Sequence, residues 1–150
     1  MNKLYIYESG SLTYLKKNNL FYLATEWRDK LDKWAKDNGV YTFNPAKTFE
    51  IEMAHNFSGE MAVRQNDLYL KKSNIMVVQM DYIDYSPGTI YELVTYKQLY
   101  PYKPIIAFSV IKENLYHKSP HIESCITEHC ESIEDVINLL CVMFSDSLIR

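Results

Sequence analysis

The sequence predicts an α/β domain, with a mostly parallel sheet of four or five strands covered by helices on both faces. Three observations lead there. Short runs rich in β-branched and aromatic residues alternate with segments whose apolar residues recur at helical spacing, the pattern of βαβ units. The run Ile75-Met-Val-Val-Gln-Met80 is apolar almost without interruption, as a strand buried on both faces must be. Only four glycines and five prolines occur among 150 residues, so each one marks a turn or a boundary.

Taken in order, Leu4–Tyr7 reads as the first strand, ending at Glu8-Ser-Gly10. Asn18 or Asn19 is placed to cap a helix running to about Asn38, with Leu20, Leu23, Ala24, Trp27, Leu31, Trp34 and Ala35 on its buried side and Gly39 as its stop. In that helix Trp27 reads as packing and Arg28 as a surface charge. Val40–Phe43 is the second strand, closed by Asn44-Pro45. A second helix over about Ser58–Lys72 would put Met61, Ala62, Gln65, Leu68 and Tyr69 on one side, with Lys71 and Lys72 solvated at its end.

Strand three is Ile75–Met80. A turn-rich loop, Asp81-Tyr-Ile-Asp-Tyr-Ser-Pro-Gly88, leads to a helix from Thr89 to Leu99, so that Glu92 falls in its first turn. Pro101 and Pro104 precede a fourth strand, Ile105–Phe108. The segment 111–131 reads as a loop with a short fifth strand near Cys125–Thr127. Ser132-Ile-Glu-Asp135 opens a last helix through about Ser145 in the manner of a capping box.

Composition narrows the function. An apolar content of 47% suits one globular domain spanning residues 1–150 and argues against disorder. A net charge of -3 with no basic run argues against a nucleic-acid polymer as partner. No apolar run approaches the ~20 residues of a membrane span, and the N-terminal residues do not follow a signal-peptide pattern. Three cysteines, an odd number in a chain large enough to do without staples, suggest a reduced, cytoplasmic setting. Thirteen tyrosines suit a site for a flat base as well as ordinary half-buried packing. His121, Cys125 and His129 would share a face if helical, but Ile122, Ile126 and Thr127 oppose a helix there and no closed four-ligand set accompanies them. No metal and no organic cofactor is expected. His55 falls in an expected loop.

The chemistry-bearing stretch is Gly88-Thr-Ile-Tyr-Glu92. It lies just past the carboxyl end of a buried strand, where open α/β sheets bind ligands. A carboxylate there can act as a nucleophile. Thr89-Ile-Tyr-Glu92 is equally a capping-box pattern in which Glu92 would be structural.

Four pieces of the chain, in order, resemble the nucleoside 2-deoxyribosyltransferase family and its nucleotide-hydrolysing relatives. They are Ile6-Tyr7 with Ser9-Gly10-Ser11; Asn66-Asp67-Leu68 with Lys72-Ser-Asn-Ile-Met76; Gly88-Thr-Ile-Tyr-Glu92-Leu; and Lys103-Pro-Ile-Ile106. The resemblance covers about residues 4–108, with Asp67 to Glu92 its specific part. It implies a flavodoxin-like, doubly wound domain, a homo-oligomer, and cleavage of the N-glycosidic bond of a nucleoside or nucleotide to exchange or release a free nucleobase. By the same resemblance Glu92 would attack C1′, Asp67 would manage the proton of the leaving base, and Tyr7 would orient Glu92. Gly10, Ser11, Ser86, Gly88 and Ser119 would contact substrate, with Ser119 reaching a neighbour's pocket.

The chemistry is coherent on its own terms. A carboxylate beneath C1′ stabilises oxocarbenium character and traps the sugar, as in retaining glycosidases, and a second carboxyl can handle the proton. Attack by another base gives transfer; attack by water gives hydrolysis. Many transferases of the family carry Asp six residues before the nucleophile, where this chain has Ser86. Ser119-Pro-His-Ile122 stands where the family has an Asn-containing segment. Serines can hold a 5′-phosphate, as in the hydrolases, yet the Ser11-Leu-Thr-Tyr14 loop lacks an arginine to accompany one. Sugar transfer is therefore the leading expectation, with 5′-monophosphate N-hydrolysis second and a nucleotide-binding module without turnover third.

Overall fold

The computed structural model describes residues 3–49 and 59–148. Within them the strands are β1 (Tyr5–Ser9), β2 (Tyr41–Phe43), β3 (Ile75–Gln79), β4 (Ile105–Phe108) and β5 (Glu128–Cys130). The helices are α1 (Thr13–Lys17), α2 (Tyr22–Asp37), α3 (residues 45–49), α4 (Gly59–Lys72), α5 (Pro87–Leu99), α6 (Pro120–Glu123) and α7 (Ile133–Met143). The five strands form one all-parallel sheet in the order β2-β1-β3-β4-β5. This is the flavodoxin-like, doubly wound, Rossmann-like arrangement that the sequence led us to expect.

Alternation along each strand builds two cores. Ile6, Ile75, Val77, Ile106 and Phe108 face α2 and α7, meeting Trp27, Leu31, Val136 and Leu140. Tyr7, Met76, Val78, Ile105 and Ala107 face the other way, against Leu70 of α4, Leu93 and Tyr96 of α5, and Ile122 of α6. The chain thus leaves β1 toward one face and β3 toward the other. Those two strands are neighbours, so the crevice at their carboxyl ends is the topological switch point.

A buried acid fixes the loops around that crevice. Asp81, just past β3, is fully buried. Its carboxylate accepts bonds from Val110 N (2.7 Å), Ile111 N (3.0 Å), Asn114 Nδ2 (2.9 Å) and Gln79 Nε2 (3.0 Å). Gln79 in turn donates to the Leu23 carbonyl and accepts from Trp27 Nε1 (2.9 Å). One side chain therefore ties β3, the loop after β4 and helix α2 together.

Several expectations need correction. Asn18 and Asn19 do not cap α2: Asn18 closes the unforeseen helix α1, donating from Nδ2 to the Tyr14 carbonyl, and Asn19 takes a left-handed conformation (φ 57°) that asparagine tolerates. Helix α3 was also unforeseen, although Pro45 opens it and Asn44 Oδ1 accepts from Ala46 N (3.0 Å), a regular helix-start pairing. On α4, Ala62, Gln65 and Tyr69 are half-buried as expected, but Met61 and Leu68 are 60% and 69% exposed and Leu70 is the buried residue of the helix. Strand β5 is Glu128–Cys130, three residues later than expected, because Cys125 and Ile126 still bond back to α6 carbonyls and Thr127 makes the first contact with β4. His129 sits on β5 and His121 on α6, so no single helix carries them, as Ile122, Ile126 and Thr127 led us to expect; His129 pairs with Glu123 and stacks on Tyr116. Ser132 caps α7 as expected, accepting from Asp135 N (3.1 Å). Ser58 and His55 lie outside the described residues. No helix among the described residues is long and apolar enough to cross a membrane.

Removing the Asp81 carboxylate takes the acceptor from Val110 N, Ile111 N and Asn114 Nδ2, which are partly buried, and one of two acceptors from the buried Gln79 Nε2. Asp81→Ala is expected to lower stability by about 3 kcal/mol, read as a lower urea midpoint with an unchanged m-value. A loss within about 0.5 kcal/mol, the usual range for an unimportant surface change, would contradict the clamp.

Candidate active site

Tyr7 and Ser9 are two residues apart on β1 and so point to the same face, toward α5. Helix α5 begins at Pro87, a residue suited to a first helical position. Glu92 consequently sits in the second turn, not the first, and no capping box forms: Ser86 Oγ and Thr89 Oγ1 bond each other (2.7 Å) instead of capping the helix. The Glu92 side chain turns toward the sheet. Tyr7 OH donates to Glu92 Oε2 in a short hydrogen bond, and Ser9 Oγ donates to Oε1 at 3.0 Å. Ser9 was not among the expected site residues. Its place two residues after Tyr7 on the same strand was the sign of it.

Glu92 is 9% exposed and lines a cleft of about 230 Å³ at the switch point. Gly10, Leu12 and Thr13 form one side of the cleft, Pro45, Thr48 and Phe49 another, and Val63, Asn66 and Tyr91 a third. Tyr14 and Tyr85, stacked with ring centroids 4.4 Å apart, stand beside Ser86, Pro87 and Gly88 at the remaining edge. A Cβ on Gly10 would meet Gln79 Cβ at 3.2 Å and Arg28 Nη2 at 3.3 Å, so any larger residue here would crowd the buried polar layer. No Lys, Arg or His lines the cleft among the described residues.

The other expected residues divide. Gly10, Ser86 and Gly88 are in the cleft wall. Asp67 stands one hydrogen bond behind it: the Tyr91 hydroxyl, on the cleft, reaches Asp67 Oδ1 and Oδ2 at 3.2 and 3.3 Å. Ser11, between the lining residues Gly10 and Leu12, is fully buried and does not itself line the cleft; its Oγ has no partner among the described residues. Ser119 precedes α6, outside the cleft of its own chain. Arg28, expected on the surface, is fully buried.

Burial governs the electrostatics. It pushes the Glu92 carboxyl up to about 7, against the opposing pull of the Tyr7 and Ser9 hydrogen bonds and the Arg28 charge. Tyr7 is raised by burial and then by the adjacent Glu92. Glu8, fully buried and itself part of the cleft lining, is held well above the ordinary carboxyl range by burial and then by Asp32. Burial also works against ionisation of Asp32, but the neighbouring Glu8 carboxyl and the bonds from Thr42 and Asn44 outweigh it, so Asp32 is lowered. Both Glu8 carboxyl oxygens are buried without a hydrogen-bond partner among the described residues.

No family model and no curated protein matches the sequence. Among solved structures, the crystal structure of a conserved protein from Enterococcus faecalis V583 is similar, with a TM-score of 0.62 over 95% of this chain and 100% of that chain, at 14% identity. Similarity at that identity is similarity of fold.

The raised Glu92 carboxyl has a consequence for stability. The folded chain keeps the Glu92 proton up to about pH 7, whereas the unfolded chain releases it near 4.5. Ionisation of Glu92 therefore removes stability as pH rises between those values, by about 3 kcal/mol. Glu92→Gln escapes that loss. Its stability relative to wild type is expected to be close to even at pH 4.5 and to improve steadily to pH 8. A pH-independent difference between the two would show that Glu92 ionises as freely folded as unfolded.

Proposed function

We propose that this protein is a nucleoside 2-deoxyribosyltransferase, cleaving the N-glycosidic bond of a 2′-deoxynucleoside and passing the sugar to a second nucleobase. The observation that carries the reading is the Glu92 carboxyl, held by Tyr7 and Ser9 and presented on a cleft at the switch point of a doubly wound sheet. Two donors fix both carboxylate oxygens. The group is therefore aimed before substrate arrives, which is what a covalent catalyst needs.

In the first step a Glu92 oxygen forms a bond to C1′ as the C1′–N bond breaks, and the bond's electron pair leaves with the base. The departing base takes up a proton at its basic nitrogen from the Asp67 carboxyl, relayed through the Tyr91 hydroxyl that bonds it. In the second step a ring nitrogen of the acceptor base attacks C1′, its N–H proton returns by the same relay to Asp67, the ester to Glu92 breaks, and the carboxylate is restored. The aromatic rings of Phe49, Tyr91 and the Tyr14–Tyr85 pair give the cleft the flat apolar surfaces that a base requires.

Ser86, in place of an Asp, favours a second reading: N-hydrolysis of a 2′-deoxynucleoside 5′-monophosphate, with water as acceptor. The hydroxyl of Ser86 can donate to a phosphate where a carboxylate would repel it. Against this, a phosphate dianion would find no Lys, Arg or His among the described residues that line the cleft. A homo-oligomer is part of the proposal, since Ser119 can contribute only to a neighbouring copy's cleft.

Incubation with a 2′-deoxynucleoside and a different free base is the test. Base exchange is expected, with kcat/KM rising as pH increases through about 7 because Glu92 must be ionised to attack. Glu92→Gln should lower exchange by about 10³-fold or more while leaving the fold intact. Free base released from the monophosphate without exchange would instead establish the hydrolase. Tight binding with neither reaction would mean a binding module.

A further inference from the structure

Among the described residues, Glu8 and Glu92 are the acids that line the cleft. Glu92 has both oxygens bonded, one by Tyr7 and the other by Ser9. Glu8 has neither: its Oε1 and Oε2 are buried, and no donor among the described residues reaches them. The polar groups around Glu8 are engaged elsewhere. Arg28 donates to the main-chain carbonyls of Ala24 (2.7 Å) and Glu8 (3.5 Å), not to the Glu8 carboxyl. The neighbouring Asp32 is another acid and is itself held by Thr42 (2.7 Å), Asn44 (2.9 Å) and Lys47 (3.4 Å). What Glu8 lacks is a donor.

A buried acceptor without a donor costs stability, and such groups are rare in folded proteins. One on the wall of a cleft gains its missing bond when a ligand brings a donor there. Strand alternation sends Glu8 to the α2 side of β1, and the cleft extends to that side. Pro45, Thr48 and Phe49 line it there, directly after Asn44, which bonds Asp32. No donor holds either Glu8 oxygen, so turning the carboxyl toward a ligand gives up no bond from one.

Position selects the part of the substrate. Glu8 stands between Tyr7 and Ser9, the residues whose hydroxyls hold Glu92. In the proposed reaction Glu92 bonds C1′, so the sugar is the part of the substrate nearest this stretch of β1. The base is served by the rings of Phe49, Tyr91 and the Tyr14–Tyr85 pair. The sugar of a 2′-deoxynucleoside carries hydroxyls at C3′ and C5′, and each is a donor.

We propose that Glu8 is a substrate-binding residue: its carboxyl accepts a hydrogen bond from a deoxyribose hydroxyl and so holds the sugar over Glu92. The inference rests on the transferase reading for the identity of the ligand and adds to it the group that recognises the sugar.

The test measures binding in Glu92→Gln, which cannot form the sugar ester. Calorimetry is run with 2′-deoxyadenosine and thymidine, and with the 3′-deoxy and 5′-deoxy analogue of each. Adding Glu8→Met, which keeps the size and removes the acceptor, is expected to weaken the parent nucleoside about tenfold. The analogue lacking the contacted hydroxyl should bind with and without Glu8→Met alike, since both changes remove the same bond. Adding Glu8→Gln instead keeps an amide oxygen as acceptor, and binding should stay within about threefold. Glu8→Met alone should melt at or above the wild-type temperature, because an apolar group replaces an unpartnered buried carboxyl. A Glu8→Met chain that melts lower or fails to fold would make Glu8 a structural acid and overturn the proposal. So would an equal loss for the parent and both analogues, which would put the contact on the base. Nucleoside binding that Glu8→Met leaves unchanged would remove this inference alone, whereas no binding of any nucleoside would remove the transferase reading and this inference with it.

Discussion

The hydrogen bonds from Tyr7 and Ser9 to Glu92 join residues more than eighty positions apart in sequence, and much of the structure is organised to make them possible. β1 and β3 must be adjacent and parallel, with their carboxyl ends level. Helix α5 must leave β3 toward the face on which Tyr7 and Ser9 point, and its second turn must lie over the end of β1. The loop between β3 and α5 sets that placement, and Asp81 at the start of the loop is anchored in four directions. A helix that carried Glu92 on its outer side would have needed none of this.

Burial of Glu92 sets stability and chemistry against each other. The same desolvation that raises its carboxyl to about 7 favours the protonated form, which the fold prefers and nucleophilic attack cannot use. Two donors and a buried guanidinium pull the other way, and the carboxyl settles near neutrality. Across β1, Glu8 resolves the same conflict differently. Burial and then Asp32 hold it well above the ordinary carboxyl range, while Asp32 is lowered in a network with Thr42, Asn44 and Lys47. Two neighbouring strand positions thus put different demands on the cleft: Glu8 lines it as a buried acid without a hydrogen-bond partner among the described residues, and Ser9 steadies Glu92.

The central strands were legible because burial on both faces leaves a simple trace: the apolar run at Ile75 can be little else. Helix α5 was legible too, although its start was read at Thr89, two residues late, because Pro87-Gly88 reads as a turn as readily as a helix start. Asn44-Pro45 was read as an ending when it was also a helix start, since proline suits both. The short α1 and α6 carry too few residues to display a period, so β5 was placed three residues early. Arg28 was misread because nothing local distinguishes a buried arginine from a surface one; its burial is decided by Gly10, Trp27 and Gln79, which come together only in the fold. Glu92 was visible as a candidate, but the capping-box pattern also fitted, and only the position of Pro87 as the first helical residue separates the two. The partners of Glu92 followed different routes. Tyr7 came from the family resemblance, and Ser9 required knowing which face of β1 turns toward α5.

The central claim is that Glu92 forms a covalent bond to the sugar. It is met most directly by a 2′-deoxynucleoside carrying fluorine at C2′, which slows departure of the sugar from the enzyme by destabilising the adjacent positive charge. Incubation with this compound, followed by intact-mass measurement and peptide mapping, is expected to show one added fluorosugar per chain, located on the peptide that contains Glu92 and absent from Glu92→Gln. Release of the base with no adduct on any residue, or an adduct on a different side chain, would contradict the account.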